Sequence, residues 1–291
     1  MDDRALLAGV AAIIGSEQTL DDCAVVRCDS RCLVLTTDML HESTDFPTGM
    51  TDWQIGWMSA AVTISDIASM GATPCWLLLA AGLDRGERLA GITAGAYACC
   101  ERFGCRLVGG DTDHHEELTV VTTGIGAVMP DRVVRRQGSR AGDLICMTGV
   151  PGEAEAGLHG FKQHWYTLIE PQPRVAEGQA IGRAGASAMM DVSDGLALSL
   201  YDLQTANPSV GYTIRSRLLR RPAGVPPAEG LELALFGGGD FELLFTCAQD
   251  RYPIAGVDAT VIGAVTDQPG VLLDGEVLEK RGYQHLWHET R

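Results

Sequence analysis

Apolar positions along the chain recur with two periods, and together they predict an alternation of strands and helices. Cys23–Cys28 and Arg31–Leu35 are apolar runs separated by Asp29-Ser30, the pattern of a β-hairpin. The second run ends in Thr36-Thr37-Asp38. Thr51-Asp52 supplies an N-cap and Gly71 a stop for a helix over 52–70, in which Trp57, Met58, Ala61, Ile64 and Ala68 follow helical spacing. A strand over Cys75–Ala81, a helix over Glu87–Phe103 stopped by Gly104, and strands over Cys105–Val108 and Leu118–Val128 follow.

Pro130 to Gly142 loses the apolar period and is rich in arginine and glycine, so a domain joint is expected there. Beyond it the pattern predicts strands at Asp143–Thr148, Ala188–Val192, Phe241–Cys247 and Thr260–Val265. Helices are predicted near Val175–Arg183 and Leu196–Ala206, and the Gly149–Gly152 turn leads into another. The expected class is α/β or α+β with mixed sheets. No apolar run approaches the roughly 20 residues of a membrane span. The opening Met1-Asp2-Asp3-Arg4 has no basic leader, so a cytoplasmic protein without a membrane partner is expected.

Charge changes the picture more than composition does. A formal net charge of −16 argues against nucleic acid as a partner. The lysines are Lys162 and Lys280, neither in a glycine-rich phosphate loop, and no G-x-x-x-x-G-K-[ST] motif occurs. A phosphate-handling protein of this composition must use metal ions and arginines. The nine cysteines include no Cys-x-x-Cys pair and read as small buried hydrophobes of a reducing compartment.

Aspartates stand at the junctions of the predicted elements: Asp21-Asp22 before the first strand, Asp38 after the second, Asp111 after Gly109-Gly110, and Asp191 and Asp194 around Val192-Ser193. Each is also an ordinary helix cap or turn residue. Asp66 resists that explanation because it interrupts a helix otherwise built for burial. Mg²⁺ suits such carboxylates, with Thr36 and Thr37 offering further oxygens, and it bridges to phosphates. His114-His115 reads as an exposed loop pair.

The ordered motifs resemble those of the thiamine-monophosphate kinase family, within the superfamily of aminoimidazole ribotide synthetase. They include Asp21-Asp22-Cys23-Ala24, Thr36-Thr37-Asp38-Met39-Leu40, Ile64-Ser65-Asp66-Ile67 and Gly109-Gly110-Asp111-Thr112. Asp191-Val192-Ser193-Asp194-Gly195 and Gly238-Gly239-Asp240-Phe241-Glu242 complete the series. The resemblance implies ATP-dependent phosphorylation of thiamine monophosphate by direct transfer. It also implies a two-domain fold, with an ATP- and Mg²⁺-binding and dimerisation domain over residues 1–135 and an α/β domain over 136–291. The N-terminal sheets of a homodimer would join into a barrel.

Position by position, the resemblance implies Mg²⁺ contacts from Asp22, Thr36, Thr37, Asp38, Asp66, Asp111, Asp191 and Asp194. It implies ATP contacts from Gly110, Asp111, Arg136, Ser193 and Phe103. Asp111, Arg136, Asp191 and Asp194 would carry the catalysis. On the acceptor side the chain departs from the usual family pattern, with Asp45 before Phe46 in place of histidine, and Gly239 in place of an acid. Trp287 is the candidate to stack on the acceptor, with a packing anchor as its other reading. A C-terminal catalytic cysteine of the hydrogenase-maturation type is absent from the sequence, and Cys23 lacks the glycine-rich setting of a selenophosphate synthetase. An aminoimidazole ribotide synthetase-like activity and a non-catalytic nucleotide-binding regulator are the alternatives.

Overall fold

The computed structural model describes residues 3–285. Helix α1 (Asp3–Ile14) precedes the hairpin β1 (Ala24–Cys28) and β2 (Arg31–His41), then α2 (Asp52–Ser69), β3 (Thr73–Leu83), α3 (Arg88–Arg102), β4 (Arg106–His114) and β5 (Thr119–Val128). The second run comprises β6 (Leu144–Thr148), α4 (Glu153–Leu158), α5 (Trp165–Ile169), α6 (Val175–Ala184), β7 (Ala188–Val192) and α7 (Leu196–Ala206). It ends with β8 (Gly211–Ile214), α8 (Pro227–Phe236), β9 (Glu242–Cys247), β10 (Ala259–Thr266), β11 (Gly270–Leu273) and β12 (Glu276–Val277).

These strands form two mixed sheets, in the orders β1-β2-β5-β3-β4 and β12-β11-β8-β10-β6-β9-β7. In the first, β3 and β4 run parallel and the other neighbours antiparallel. In the second, β8 and β11 are the parallel pair.

The position of α2 organises the site. Thr51 and Gln54 close a capping box at its start, satisfying backbone donors there. Below the cap the helix is buried almost all round, so it must lie between layers. It packs on β2, β3 and β5 of the first sheet and reaches β7 of the second. Glycine permits its close crossings. A Cβ on Gly56 would fall 1.8 Å from the Ile92 carbonyl oxygen of α3, and one on Gly178 of α6 would fall 2.1 Å from that of Ala68.

Two strands outrun their sequence patterns. β2 continues through Thr36-Thr37-Asp38 to His41, because β5 pairs with it from Cys32↔Val128 to His41↔Thr119. β4 does not stop at Val108 but passes a register shift and runs through Gly109-Gly110-Asp111 to His114 beside β3. In both cases a neighbouring strand satisfies backbone donors and acceptors that the local composition would have left to a loop. Alternation then divides β2. Thr36 and Asp38 share the inward, α2-facing side, and Thr37 points to the outer side of the sheet. That outer face carries exposed Met39, Trp76, Leu78 and Val108.

Candidate active site

Four of the expected carboxylates gather around α2, each bonded to a hydroxyl the helix or its neighbours supply. Thr63 Oγ1 donates to Asp38 Oδ2 at 2.6 Å, Thr36 Oγ1 to Asp66 Oδ2 at 2.6 Å, and Ser65 Oγ to Asp191 Oδ2 at 2.6 Å. Ser69 Oγ donates to Asp22 Oδ2. The other oxygen of Asp22 accepts from Arg136, whose Nε lies at 2.8 Å. These residues come from the loop before β1, from β2, from α2, from the 129–143 connection and from the end of β7.

Electrostatics shows how closely the four charges sit. Removal from water, together with the Asp22 charge, raises Asp38 to about 6 against the opposing Thr63 bond. Burial followed by Asp22 raises Asp191 to about 8, and Ser65 and Arg136 oppose them. Asp66 is pushed well above the carboxylate range by burial, then by Asp38, Asp191 and Asp22. Burial works against the charge on Arg136, but Asp22, Asp202 and Asp191 hold it protonated. Packed carboxylates that raise one another in this way make a site complementary to cations.

The donor set fits Mg²⁺ rather than a softer ion, since it is oxygen throughout. Among the described residues no group of three or more histidine, cysteine, aspartate or glutamate side chains is arranged to hold a metal ion. Mg²⁺ takes one or two protein carboxylates and completes its octahedron with water and phosphate oxygens. Asp22, Asp38, Asp66 and Asp191 are the groups that could supply such carboxylates.

Other expected residues lie apart from this cluster. Thr37 Oγ1 donates to the Thr122 carbonyl at 3.1 Å and meets Thr123 Oγ1 at 2.8 Å on the outer face of the sheet. Asp111 is also on that face, where its Oδ1 accepts from the Thr112 N–H and where it lines a cleft of about 380 Å³ with Met39, His41 and His114. Gly110 lacks a side chain because of β3: a Cβ there would fall 1.6 Å from the Leu79 carbonyl oxygen. Phe103 ends α3 and packs edge-on against Trp57, with ring centroids 6.3 Å apart, as part of the core. Within one chain, then, Gly110, Asp111 and Phe103 do not meet Arg136 and Ser193.

A larger cleft of about 540 Å³ opens beside the carboxylates, with Asp38, Asp45, Ser193, Asp194, Gly239 and Tyr283 among its walls. Asp45 is held in its turn by accepting from the His41 N–H at 2.8 Å and from Thr44 Oγ1 at 2.7 Å. Gly239 has φ +83°, and its N–H donates to the Ser193 carbonyl at 2.7 Å, so the glycine loop fixes the Ser193-Asp194 segment. Tyr283 and His285 stack edge-on at 5.4 Å along the same cleft. Trp287 lies outside the described residues.

Sequence reasoning passed over the hydroxyls. Thr63, Ser65 and Ser69 are fully buried on an apolar helix, and a polar stripe of that kind, flanking Asp66, is the signal that points to them. It also passed over Glu242, which is buried, accepts from Arg174 Nε at 2.7 Å and from Thr148 Oγ1 at 2.6 Å, and braces the glycine loop. Asp240 is likewise structural: its carboxylate accepts from the N–H groups of Gly152 and Ala154 at 2.5 and 3.0 Å, which anchors the start of α4.

Comparison with known proteins finds relatives over the whole chain. Residues 20–128 match the family described as AIR synthase related protein, N-terminal domain. The thiamine-monophosphate kinase of Methanospirillum hungatei is 50% identical over 287 residues, covering 99% of this chain and 100% of that protein. The thiamine-monophosphate kinase of Archaeoglobus fulgidus is 36% identical, with 98% of each chain covered. Among solved structures, AaThiL complexed with AMPPCP and TMP matches with a TM-score of 0.90 at 28% identity, over 98% of this chain and 97% of that one.

Proposed function

The chain belongs to the thiamine-monophosphate kinase family, and on that premise we propose that it transfers the γ-phosphoryl group of ATP to thiamine monophosphate, yielding thiamine diphosphate and ADP. The observation that carries the reading is the convergence of Asp22, Asp38, Asp66 and Asp191 on α2, beside a cleft that Asp38 and Asp194 also line. Mg²⁺ bound there would neutralise the phosphate oxygens of both substrates. Asp194 and the Thr36 hydroxyl complete the proposed contacts there, while Thr37 faces the other side of the sheet.

Arg136 would offer its guanidinium to the triphosphate, oriented by its bond to Asp22. A terminal oxygen of the acceptor phosphate attacks the γ-phosphorus and the bond to the ADP oxygen breaks, in line and without a phosphoenzyme. That oxygen is already anionic at neutral pH, so no general base is required. What remains for the protein is positioning and charge stabilisation. Asp45, Gly239 and Trp287 belong to the acceptor end in this reading, and Tyr283 and His285 add aromatic surface there.

The reading includes a cytoplasmic homodimer. The exposed apolar outer face of the first sheet would pair with its copy to close a barrel. Gly110, Asp111 and Phe103 then serve the nucleotide next to that interface. Residues 1–135 form the nucleotide and dimerisation unit and 136–291 the second α/β unit. Incubation with ATP, Mg²⁺ and thiamine monophosphate tests the proposal directly: thiamine diphosphate and ADP are expected in equal amounts, and a folded protein that makes neither refutes it.

A further inference from the structure

A third cleft, of about 220 Å³, opens past the C-terminal end of α2, with Arg31, Gly71, Thr73, Arg132, Gln179 and Arg183 among its walls. Its arginines come from three separate segments. Arg31 starts β2, Arg132 belongs to the 129–143 connection, and Arg183 lies in the last turn of α6. All three are exposed, and among the described residues no carboxylate stands within ion-pair range of any of them. Arg135 and Arg136 of the same connection, by contrast, pair with Asp21 and Asp22.

The backbone around the cleft is held in place. The Val134 N–H donates to the Met70 carbonyl at 3.2 Å. A Cβ on Gly71 would fall 3.1 Å from the Arg132 carbonyl oxygen, and one on Gly182 would fall 2.9 Å from it. The two glycines therefore let the connection seat against the ends of α2 and α6. Gln179 and Arg183 are four residues apart on one face of α6, and Gln179 Nε2 donates to Thr73 Oγ1 at 3.0 Å. Having accepted that bond, the Thr73 hydroxyl keeps its own proton to donate, and it has no acceptor among the described residues.

Compensation of a helix dipole accounts for Arg183 alone. It leaves Arg31, on a strand, and the gathering of three guanidinium groups about one small cleft, where they repel one another. The chain has 38 acidic residues against 22 basic ones, yet none of those acids neutralises this cluster.

We propose that the cleft binds a free phosphate ion, held by the guanidinium groups of Arg31, Arg132 and Arg183 and by the Thr73 hydroxyl. A guanidinium fork matches phosphate oxygens two at a time. The volume lies below the roughly 300 Å³ at which pockets for larger ligands begin, so it suits an ion and excludes a nucleotide. The cluster is already cationic, so this site needs no Mg²⁺ and is separate from the carboxylates around α2.

Titration calorimetry of the whole chain with inorganic phosphate, in EDTA near neutral pH, tests this, because without Mg²⁺ the aspartate cluster repels the ion. Saturable binding is expected above a sodium chloride control of equal ionic strength, and heats no larger than the control overturn the proposal. Arg31→Met and Arg183→Met are each expected to weaken binding about tenfold or more, the worth of a charge-assisted hydrogen bond. Both side chains are exposed, so neither change is expected to disturb the fold. Arg217→Met removes the same charge from an exposed arginine in the short turn after β8 and is expected to leave binding unchanged. Wild-type affinity in both R31M and R183M, or an equal loss in R217M, overturns the proposal. Phenyl phosphate is expected to bind more weakly than the free ion, and binding as tight as phosphate overturns the assignment to a free ion.

Discussion

Ser65 Oγ donates a 2.6 Å hydrogen bond to Asp191 Oδ2, joining the middle of α2 to the end of β7 in the other sheet. The two residues are 126 positions apart in sequence. The bond is one of two influences that favour the ionised form of Asp191 against burial and the Asp22 charge. It therefore connects the packing of a helix to the charge state of the site.

Ser65→Ala removes that donor and leaves a buried carboxylate short of a partner. The expected loss of stability is about 1–3 kcal/mol, read from urea denaturation, with a weaker response to Mg²⁺. An unchanged midpoint in both measurements would show that Asp191 finds another donor.

The raised carboxylates set the sign of the pH dependence. Asp38 at about 6 and Asp191 at about 8 bind protons more tightly folded than unfolded, and Asp66 shifts the same way. Asp240, raised to about 7 by burial against its two N–H donors, adds to the effect. Their contribution to stability is fully present below about pH 4 and is lost as pH rises through 6 to 8. Denaturation in EDTA is expected to show this fall between pH 5.5 and 8.5 as these sites ionise, and saturating Mg²⁺ to flatten it. A metal-free protein that gains stability over that window contradicts the mutual repulsion of the cluster.

Arg136→Met leaves the Asp22 side chain, only 1% exposed, without its counter-charge. Breaking one side of a buried pair costs about 3–5 kcal/mol, and a melting experiment is expected to show a loss of that order. A higher KM for ATP is expected alongside it if the guanidinium also meets the triphosphate.

Asp111→Asn lies on the outer face, away from the carboxylate cluster, so it is expected to leave the melting temperature unchanged. In the proposed dimer a neighbouring subunit's site would use it, so the variant is expected to lower kcat. Mixed dimers decide the point. A D111N chain paired with a D191N chain rebuilds one complete site if sites are shared, so mixing two inactive variants is expected to restore activity. Failure of the mixture, with heterodimers shown to form, would confine Asp111 to its own chain.

Much of the fold was legible in the sequence because its signals are local. The Thr51 cap, the Gly104 stop and the Asp29-Ser30 turn act within a few residues, and α2, α3 and the first hairpin appear where the pattern placed them. The extensions of β2 and β4, and the strands β8 and β11, were not legible, since each depends on a partner strand far away in sequence. Within the site, Asp66 stood out as a charge on an apolar helix. Ser65 and Ser69 did not, because a buried serine carries meaning only when its acceptor is known.

The sequence by itself determined that the chain offers no lysine loop to a phosphate, and it singled out aspartates at the ends of elements, because composition and motif order are properties of the chain alone. Only the tertiary structure decided which of them lie together. Strand alternation sends Thr36 and Asp38 inward and Thr37 outward, and the continuation of β4 carries Asp111 to the opposite face of the sheet from α2. The burial of α2 between two sheets then brings Asp38, Asp66 and Asp191 close enough to one another and to Asp22 that the neighbouring charges raise the proton affinity of those three.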